Sequence, residues 1–220
     1  MRTKMPRGSF ITFEGGDGTG KSTQLALFLE YLQTHEIAHI FTREPGGTGI
    51  GERIRQILLD PACAEMEDMT EALLYAAARA QLAREIIRPA MDAGKLVVCD
   101  RWVDSSIVYQ GLAKDLMHGR GGSEEAVRAV NAYATDGLIP DVTILLDLDP
   151  AEALGRARSA DGRPDRIEAK GISYHRAVRE SYLSLAEREA RVRVVDAAGP
   201  PEAVHARVID AVQQAVEITK

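Results

Sequence analysis

The sequence is poor in cysteine, in aromatic residues and in long apolar runs, and each shortage excludes a class of protein. Its 220 residues include two cysteines, one tryptophan and 5% aromatic residues. The two cysteines, Cys63 and Cys99, match no metal-site spacing and cannot form a disulfide-rich framework, so they favour a reducing cytosol. No apolar run approaches the roughly 20 residues of a membrane helix, and the basic N-terminus precedes no apolar segment. We therefore predict a cytoplasmic protein without a membrane span or a signal peptide.

The charge balance is mildly acidic, with 27 Lys and Arg against 33 Asp and Glu and a formal net charge of −6. A chain of this sign is a poor candidate for a general nucleic-acid coat, so we expect no nucleic-acid partner. Among the cations, 21 are arginines, whose planar donor fork suits phosphate and carboxylate groups. The length and the 45% hydrophobic content fit one globular domain over residues 1–220.

Short apolar runs alternate with helical patterns along the chain. We predict strands at residues 10–13, 39–42, 96–99, 142–148 and 192–195. We predict helices at residues 21–33, 50–59, 69–91, 104–112, 123–133, 151–158, 173–190 and 201–218. Continuous apolar strands are typical of a parallel sheet that is covered on both faces. The alternation therefore predicts an α/β fold with a five-stranded parallel sheet and helices on both faces.

The most specific local motif is a glycine loop between the first strand and the first helix. Residues 15–22 read GGDGTGKS and fit the pattern G-x-x-x-x-G-K-[ST]. Glycines let backbone N–H groups approach phosphate oxygens, and the helix N-terminus adds the positive end of its dipole. Lys21 would then reach the β- and γ-phosphates, and the Ser22 hydroxyl would bind Mg²⁺. An ordinary glycine turn is the alternative interpretation.

A phosphate loop alone does not choose between a kinase, a GTPase and a motor protein. The chain has no N-K-x-D motif for reading guanine, and 220 residues are few for most motor ATPases. Asp100 and Arg101 follow the third strand, at the sheet edge where ligands of such folds bind. We predict that Asp100 holds Mg²⁺ through water and that Arg101 binds a phosphate, with a capping Asp and a surface Arg as the alternative.

Two further groups of residues could contact a nucleotide. Tyr75 and Arg79 are four positions apart on one helix face, where they could stack on a base and donate to its carbonyl, or simply pack in the core. An arginine cluster lies further along the chain, and it could close over a transferring phosphate or form a solvated loop. Its members are Arg156, Arg158, Arg163 and Arg166.

These residues together resemble the thymidylate kinase family, which phosphorylates dTMP to dTDP. The resemblance runs from Phe10 to about Val208, in five ordered blocks. The blocks are FEGGDGTGKST at residues 13–23, TREPGG at 42–47, YAAAR at 75–79, DR at 100–101 followed by Ser105, Ser106, Tyr109, Gln110 and Gly111, and DRIE at 165–168. The combination is much more specific than the phosphate loop. It implies a P-loop kinase fold, ATP with Mg²⁺ as the donor, dTMP as the acceptor and a homodimer packed through helices.

The resemblance also implies the site residues. Those at the ATP phosphates are Gly15, Gly16, Asp17, Gly18, Thr19, Gly20, Lys21, Ser22 and Thr23. Those at the dTMP site are Asp17 at the sugar, Arg43, Arg55 and Arg101 near the acceptor phosphate, Tyr75 stacked on thymine, Arg79 at the thymine carbonyl, Ser106 and Gln110 at the base, and Tyr109 where a ribose 2′-hydroxyl is excluded. The family usually has Phe in place of Tyr75, and Tyr, Phe or His in place of Trp102.

The family divides by the position of one further arginine. Some members carry it in the phosphate loop, where this chain has Gly18. The resemblance therefore implies the bacterial type, in which a mobile lid at about 156–170 supplies the cation, with Arg163 ranked first and Arg158 second. Two alternatives remain open on sequence alone: a kinase for another deoxynucleotide or a deoxynucleoside, and a nucleotide-binding switch without transferase activity.

Overall fold

Five parallel strands form one sheet at the centre of the computed structural model, which describes residues 7–113, 123–157 and 171–217. The strands are β1 (Phe10–Glu14), β2 (His39–Arg43), β3 (Leu96–Asp100), β4 (Val142–Asp147) and β5 (Val192–Asp196). Their order across the sheet is β2-β3-β1-β4-β5, and every neighbouring pair is parallel. The predicted fold class is confirmed.

Helices surround this sheet within the described residues. They are α1 (Lys21–Thr34), α2 (Gly49–Leu59), α3 (Asp68–Leu82), α4 (Arg88–Asp92), α5 (Val103–Ser106), α6 (Ser123–Thr135), α7 (Pro150–Ala157), α8 (Ile172–Arg188) and α9 (Pro201–Ala215), with a 3₁₀ turn at Pro61–Cys63. None of these helices combines the length and the apolar composition needed to cross a membrane. Residues 114–122 and residues 158–170 of the predicted lid lie outside the described residues.

Two predicted helices contain π-helical stretches that the sequence pattern did not indicate. The predicted helix 69–91 is α3, a π-helical stretch at Ala83–Ile87 and then α4. Pro89 has no N–H to donate, and its ring would crowd the carbonyl four residues earlier in a regular helix, so a wider turn relieves the conflict. The predicted helix 104–112 likewise consists of α5 and a π-helical stretch at Ile107–Leu112.

Both faces of the sheet are buried, because alternate residues of each strand point to opposite sides. Ile11 and Phe13 pack with α1 and α9, whereas Phe10 packs with the α3–α4 side. On that side Trp102 is fully buried, meets Phe10 edge-to-face at 5.3 Å and donates from Nε1 to the carbonyl of Leu138 at 3.2 Å. A tryptophan at this position therefore serves the core.

Candidate active site

The glycine loop lies between β1 and α1 and has the backbone that its sequence predicts. Gly15, Gly18 and Gly20 have φ values of 143°, 76° and 89°, which residues with a Cβ rarely adopt. The Thr19 hydroxyl donates to the carbonyl of Gly16 at 2.9 Å and braces the turn. Among the described residues, no side chain caps α1, and its first turn has no acidic residue. The helix N-terminus is therefore free to attract an anion.

Gly18 leaves no room for a side chain. A Cβ built there would collide with the carbonyl oxygen of Ala153, which lies in α7. The positive φ of Gly18 adds a second penalty for any L-residue. An arginine at this loop position would thus require the backbone of α7 to move.

Lys21 and Asp100 face each other where β1 and β3 end. The Lys21 Nζ lies 3.4 Å from Asp100 Oδ1. Burial lowers the pKa of Lys21, and the nearby positive charge of Arg101 lowers it further, against the opposing effects of Asp100 and Asp17. Because the charge of this ammonium group is poorly solvated, the approach of a polyanion would stabilise its charged form.

Arg101 is held in an uncommon backbone conformation by several contacts. Its φ is 70°, in the left-handed region. Its Nη2 donates to Asp17 Oδ1 at 3.1 Å, and its Nη1 donates to the carbonyl of Gly15 at 3.1 Å. Its guanidinium carbon also lies 5.2 Å from the ring centre of Tyr109. Left-handed non-glycine residues cluster at functional sites, where surrounding contacts stabilise them.

Glu14 is the main residue of this region that the sequence analysis did not assign. Its buried carboxylate accepts hydrogen bonds from the Trp102 N–H at 2.8 Å, the Ser105 hydroxyl at 2.6 Å and the Tyr182 hydroxyl at 2.8 Å. Burial raises the pKa of Glu14 and the charge of Asp104 adds to that effect, whereas Arg101 opposes both. A carboxylate that ends an otherwise buried strand was the signal available in the sequence.

Arg79 lies inside the protein, with 1% of its surface exposed. Its Nε donates to Glu44 Oε2 at 2.7 Å, and its Nη2 donates to the carbonyl of Trp102 at 3.2 Å. Its Nη1 donates to the Ser106 hydroxyl at 2.9 Å and also to the side-chain oxygen of Asn131. Burial raises the pKa of Glu44 to about 7, although the charge and hydrogen bond of Arg79 lower it. The residue predicted to read a base is thus already anchored on all three guanidinium nitrogens.

Gln110 and Tyr109 lie on the π-helical stretch that follows α5. The Gln110 Nε2 donates to Glu71 Oε1 at 2.9 Å, and both side chains are buried. The Tyr109 hydroxyl is buried and has no hydrogen-bond partner among the described residues, and burial raises the pKa of Tyr109. Tyr109 and Gln110 both line the same cavity.

One cavity of about 390 Å³ brings the predicted dTMP-site residues together. Its lining includes every predicted dTMP-site residue, together with Lys21, Ser22 and Asp100: Asp17, Lys21, Ser22, Arg43, Arg55, Tyr75, Arg79, Asp100, Arg101, Ser106, Tyr109 and Gln110. At its rim Arg43 pairs with Glu52 at 3.1 Å, and Arg55 donates to the carbonyl of Pro45 at 2.9 Å. The volume is within the usual range for small-molecule sites.

The oxygen atoms at the loop end of this cavity fit Mg²⁺. Buried oxygens of Asp17 (Oδ2) and Asp100 (Oδ1) accept no hydrogen bond from the described residues, and Ser22 is exposed in the first turn of α1. Mg²⁺ is usually held through one or two carboxylates together with substrate phosphates and waters. Within the described part of the chain, no cluster of three or more His, Cys, Asp or Glu forms an all-protein metal site.

The predicted arginine cluster is only partly visible. Arg156 belongs to α7, where it pairs with Glu152 at 2.6 Å and donates to the carbonyl of Ala197 at 3.2 Å. Arg158, Arg163 and Arg166 lie outside the described residues.

Comparison with known proteins identifies the relatives of this chain. The family model described as thymidylate kinase matches residues 13–208. Thymidylate kinase of Symbiobacterium thermophilum is 52% identical over 196 residues, which cover 89% of this chain and 88% of that protein. Thymidylate kinase of Deinococcus radiodurans is 47% identical over 211 residues, covering 96% and 98% of the two chains. Thymidylate kinase of Latilactobacillus sakei is 47% identical over 211 residues, covering 94% and 96%.

Proposed function

The chain belongs to the thymidylate kinase family, and we propose that it transfers the γ-phosphoryl group of ATP to dTMP and so forms dTDP and ADP. The observation that carries this proposal is the single cavity that joins the end of the phosphate loop to the residues predicted to hold dTMP. A nucleotide-binding switch would have no use for an acceptor-side pocket of this kind. A substrate panel distinguishes the other deoxynucleotide and deoxynucleoside kinases.

Phosphoryl transfer requires positioning and charge neutralisation more than covalent assistance. An oxygen of the dTMP phosphate attacks the γ-phosphorus, and the bond to the β–γ bridging oxygen breaks as ADP leaves. The dTMP phosphate is already anionic, so no general base is needed. Lys21 and Arg101 offset the charge on the transferring group, while Asp17 fixes Arg101 through its 3.1 Å hydrogen bond.

We propose Ser22 and Asp100 as the residues that hold Mg²⁺, with Asp100 acting through water. When bound, the ion would help neutralise the phosphate oxygens. The buried Oδ1 of Asp100, which accepts no hydrogen bond from the described residues, supports this assignment.

We propose that residues 1–220 act as one domain and that the segment 156–170 supplies the missing cation, from Arg163 or Arg158. The supporting observation is Gly18, where any side chain would collide with the backbone of Ala153. Because the loop has no room for an arginine, the positive charge has to come from elsewhere in the chain.

A homodimer and a cytoplasmic location complete the proposal. The apolar side chains of Ile50 and Ile57 on α2, and of Met69 and Leu73 on α3, are about half exposed, and a helix-packed partner would cover them. Both cysteines are free, which favours a reducing compartment. Sedimentation of the purified protein tests the dimer, since a monomer at micromolar concentration would contradict it.

The test of the function is an ADP-release assay with ATP and Mg²⁺ and a panel of acceptors: dTMP, dUMP, dCMP, thymidine and none. We expect ADP release to require an acceptor and to be fastest with dTMP. Preference for dCMP or thymidine would indicate another nucleotide or nucleoside kinase. ATP binding without ADP release under every condition would indicate a switch.

A further inference from the structure

The amide of Gln110 has only one orientation compatible with its partner. Its Nε2 donates to Glu71 Oε1 at 2.9 Å, and only 2% of the Glu71 surface is exposed. An ionised carboxylate accepts hydrogen bonds and cannot donate them. Glu71 therefore selects the amide nitrogen, which leaves the amide oxygen of Gln110 as the acceptor for a ligand in the cavity that Gln110 lines.

We propose that Glu71 is a specificity-determining residue, which positions the Gln110 amide so that the site accepts keto pyrimidines and rejects cytosine. The inference rests on the proposed function, since it concerns the base of the acceptor nucleotide. Glu71 acts through Gln110 and is a positioning residue.

The chemistry of the two base types gives this orientation its consequence. Thymine and uracil carry an N3–H donor beside the O4 acceptor, whereas cytosine carries an N3 acceptor beside an N4 amino donor. A fixed Gln110 acceptor complements N3–H, and the guanidinium of Arg79 complements a carbonyl. Cytosine would place its N3 acceptor against the Gln110 oxygen, and a buried pair of acceptors is costly. The reverse amide orientation would remove that penalty.

One face of α3 carries the residues that surround the Gln110 amide and the proposed base site. Glu71, Tyr75 and Arg79 are spaced four residues apart, so they form a stripe on the same side of the helix. The Ser106 hydroxyl accepts from Arg79 Nη1 at 2.9 Å, and among the described residues the hydrogen bond of the Gln110 amide goes to Glu71 and not to Ser106. The orientation of Gln110 therefore depends on the carboxylate of Glu71.

The deciding variant is Glu71→Gln, which keeps the size of the side chain but can donate as well as accept. It no longer selects one orientation of Gln110. We expect the ratio of kcat/KM for dTMP to kcat/KM for dCMP to fall about tenfold. We expect the KM for dTMP to rise in this variant and the KM for ATP to stay unchanged. Glu67→Gln is the matched control, because Glu67 is exposed one turn earlier and should leave the ratio unaltered.

An exchange variant separates orientation from packing. Glu71→Gln combined with Gln110→Glu returns an acceptor-only group to position 110 and lets residue 71 donate to it, with the net charge unchanged. We expect the exchange to restore the preference for dTMP over dCMP.

Two results would overturn the inference: an unchanged ratio in Glu71→Gln, or an equal loss of activity with dTMP and dCMP. A folded wild-type protein that releases no ADP with dTMP would instead refute the proposed function. The two failures are therefore distinguishable.

Discussion

The cavity has a loop end, at Asp17, Lys21 and Asp100, and a base end, at Arg79 and Gln110, where we propose that the base binds. The cations Lys21 and Arg79 differ in how completely their N–H donors are paired. At the loop end, buried oxygens of Asp17 and Asp100 accept no hydrogen bond from the described residues, and Lys21 is 3.4 Å from its nearest acidic partner. At the base end, all three guanidinium nitrogens of Arg79 donate to protein acceptors, and Gln110 is fixed by Glu71. At the loop end, Lys21 therefore has N–H donors available for a negatively charged ligand, and the two carboxylate oxygens can accept from a ligand or bind a cation.

The contrast corresponds to two kinds of task. Negative charge is redistributed among the oxygens as a phosphoryl group is transferred. Cations that are not fully paired within the protein can stabilise that charge. A base presents a fixed pattern of donors and acceptors, so its site gains from side chains that are immobile before binding. The predictions below test whether substitutions at the two ends separate into effects on kcat and effects on dTMP affinity.

The largest effect should come from the lid, whose role is predicted from sequence. Arg163→Ala or Arg158→Ala should lower kcat by about 10³-fold at one of the two positions, because an arginine that stabilises transition-state charge can contribute that much. The Michaelis constants should change little. Steady-state kinetics of both variants and of Arg166→Ala provide the measurement. Near-normal kcat in all three would refute the lid assignment.

Lys21→Ala should have the next largest effect. Removing the Lys21 ammonium takes away one of the cations that we propose for the phosphoryl oxygens, and we expect kcat to fall by about 10² or more. The fold should persist, since Lys21 is at the first position of α1 and its ion pair is long at 3.4 Å. Circular dichroism checks the fold. A variant that keeps more than about a tenth of the wild-type kcat would contradict the assigned role.

Arg79→Ala should act on dTMP and spare ATP. The base end would lose a donor and leave Glu44 buried without its partner, so we expect KM for dTMP to rise about ten- to a hundredfold. The loss of a buried ion-pair partner should also lower the free energy of unfolding by about 3 kcal/mol or more. Kinetics with each substrate varied in turn give the first quantity, and urea denaturation gives the second. Equal changes in both Michaelis constants would show that Arg79 does not read the base.

The sequence pattern predicted the architecture well for a physical reason. Five apolar runs separated by helical periodicity allow few arrangements other than a covered parallel sheet, and each predicted strand is present within two residues of its bounds. The pattern failed at Ala83–Ile87 and Ile107–Leu112, because hydrophobic periodicity does not distinguish a π-helical stretch from an α-helix over five or six residues.

The site was predicted residue by residue, but its internal contacts were not. Motif and resemblance brought Arg79, Ser106 and Gln110 to the base end, where the cavity includes all three. Neither indicated that Arg79 donates to Ser106 and to Glu44, or that Gln110 donates to Glu71. Those pairings join residues 27 to 39 positions apart, and they depend on tertiary packing that local spacing does not encode.

Glu44 gives the base end of the cavity a pH dependence of its own. Its pKa is about 7 in the folded protein, above the ordinary value of 4.5, so the folded state binds its proton more tightly than the unfolded state does. Stability from this group is therefore present at low pH and is lost as pH rises from about 4.5 to 7, by about 2 kcal/mol between pH 5 and pH 7. Urea denaturation at both values should show this loss in the wild type, and the loss should be about 2 kcal/mol smaller in Glu44→Gln. Equal pH slopes would contradict it.

Tyr109→Phe should have the smallest effect, and it tests the boundary between the two ends. Tyr109 lies next to Gln110 in sequence, and its ring centre is 5.2 Å from the guanidinium carbon of Arg101. Its buried hydroxyl has no hydrogen-bond partner among the described residues, so removing it should change the free energy of unfolding by less than ~1 kcal/mol. The ring and its contact with Arg101 remain, so kcat with dTMP should stay near the wild-type value.

If the hydroxyl excludes a ribose, activity with ribothymidine monophosphate should rise by a few-fold relative to dTMP, a polar contribution smaller than those of the anchored arginines. Competition between the two nucleotides measures that ratio directly. An unchanged ratio would assign the exclusion to packing of the ring, and a large fall in kcat would place Tyr109 with the phosphate end.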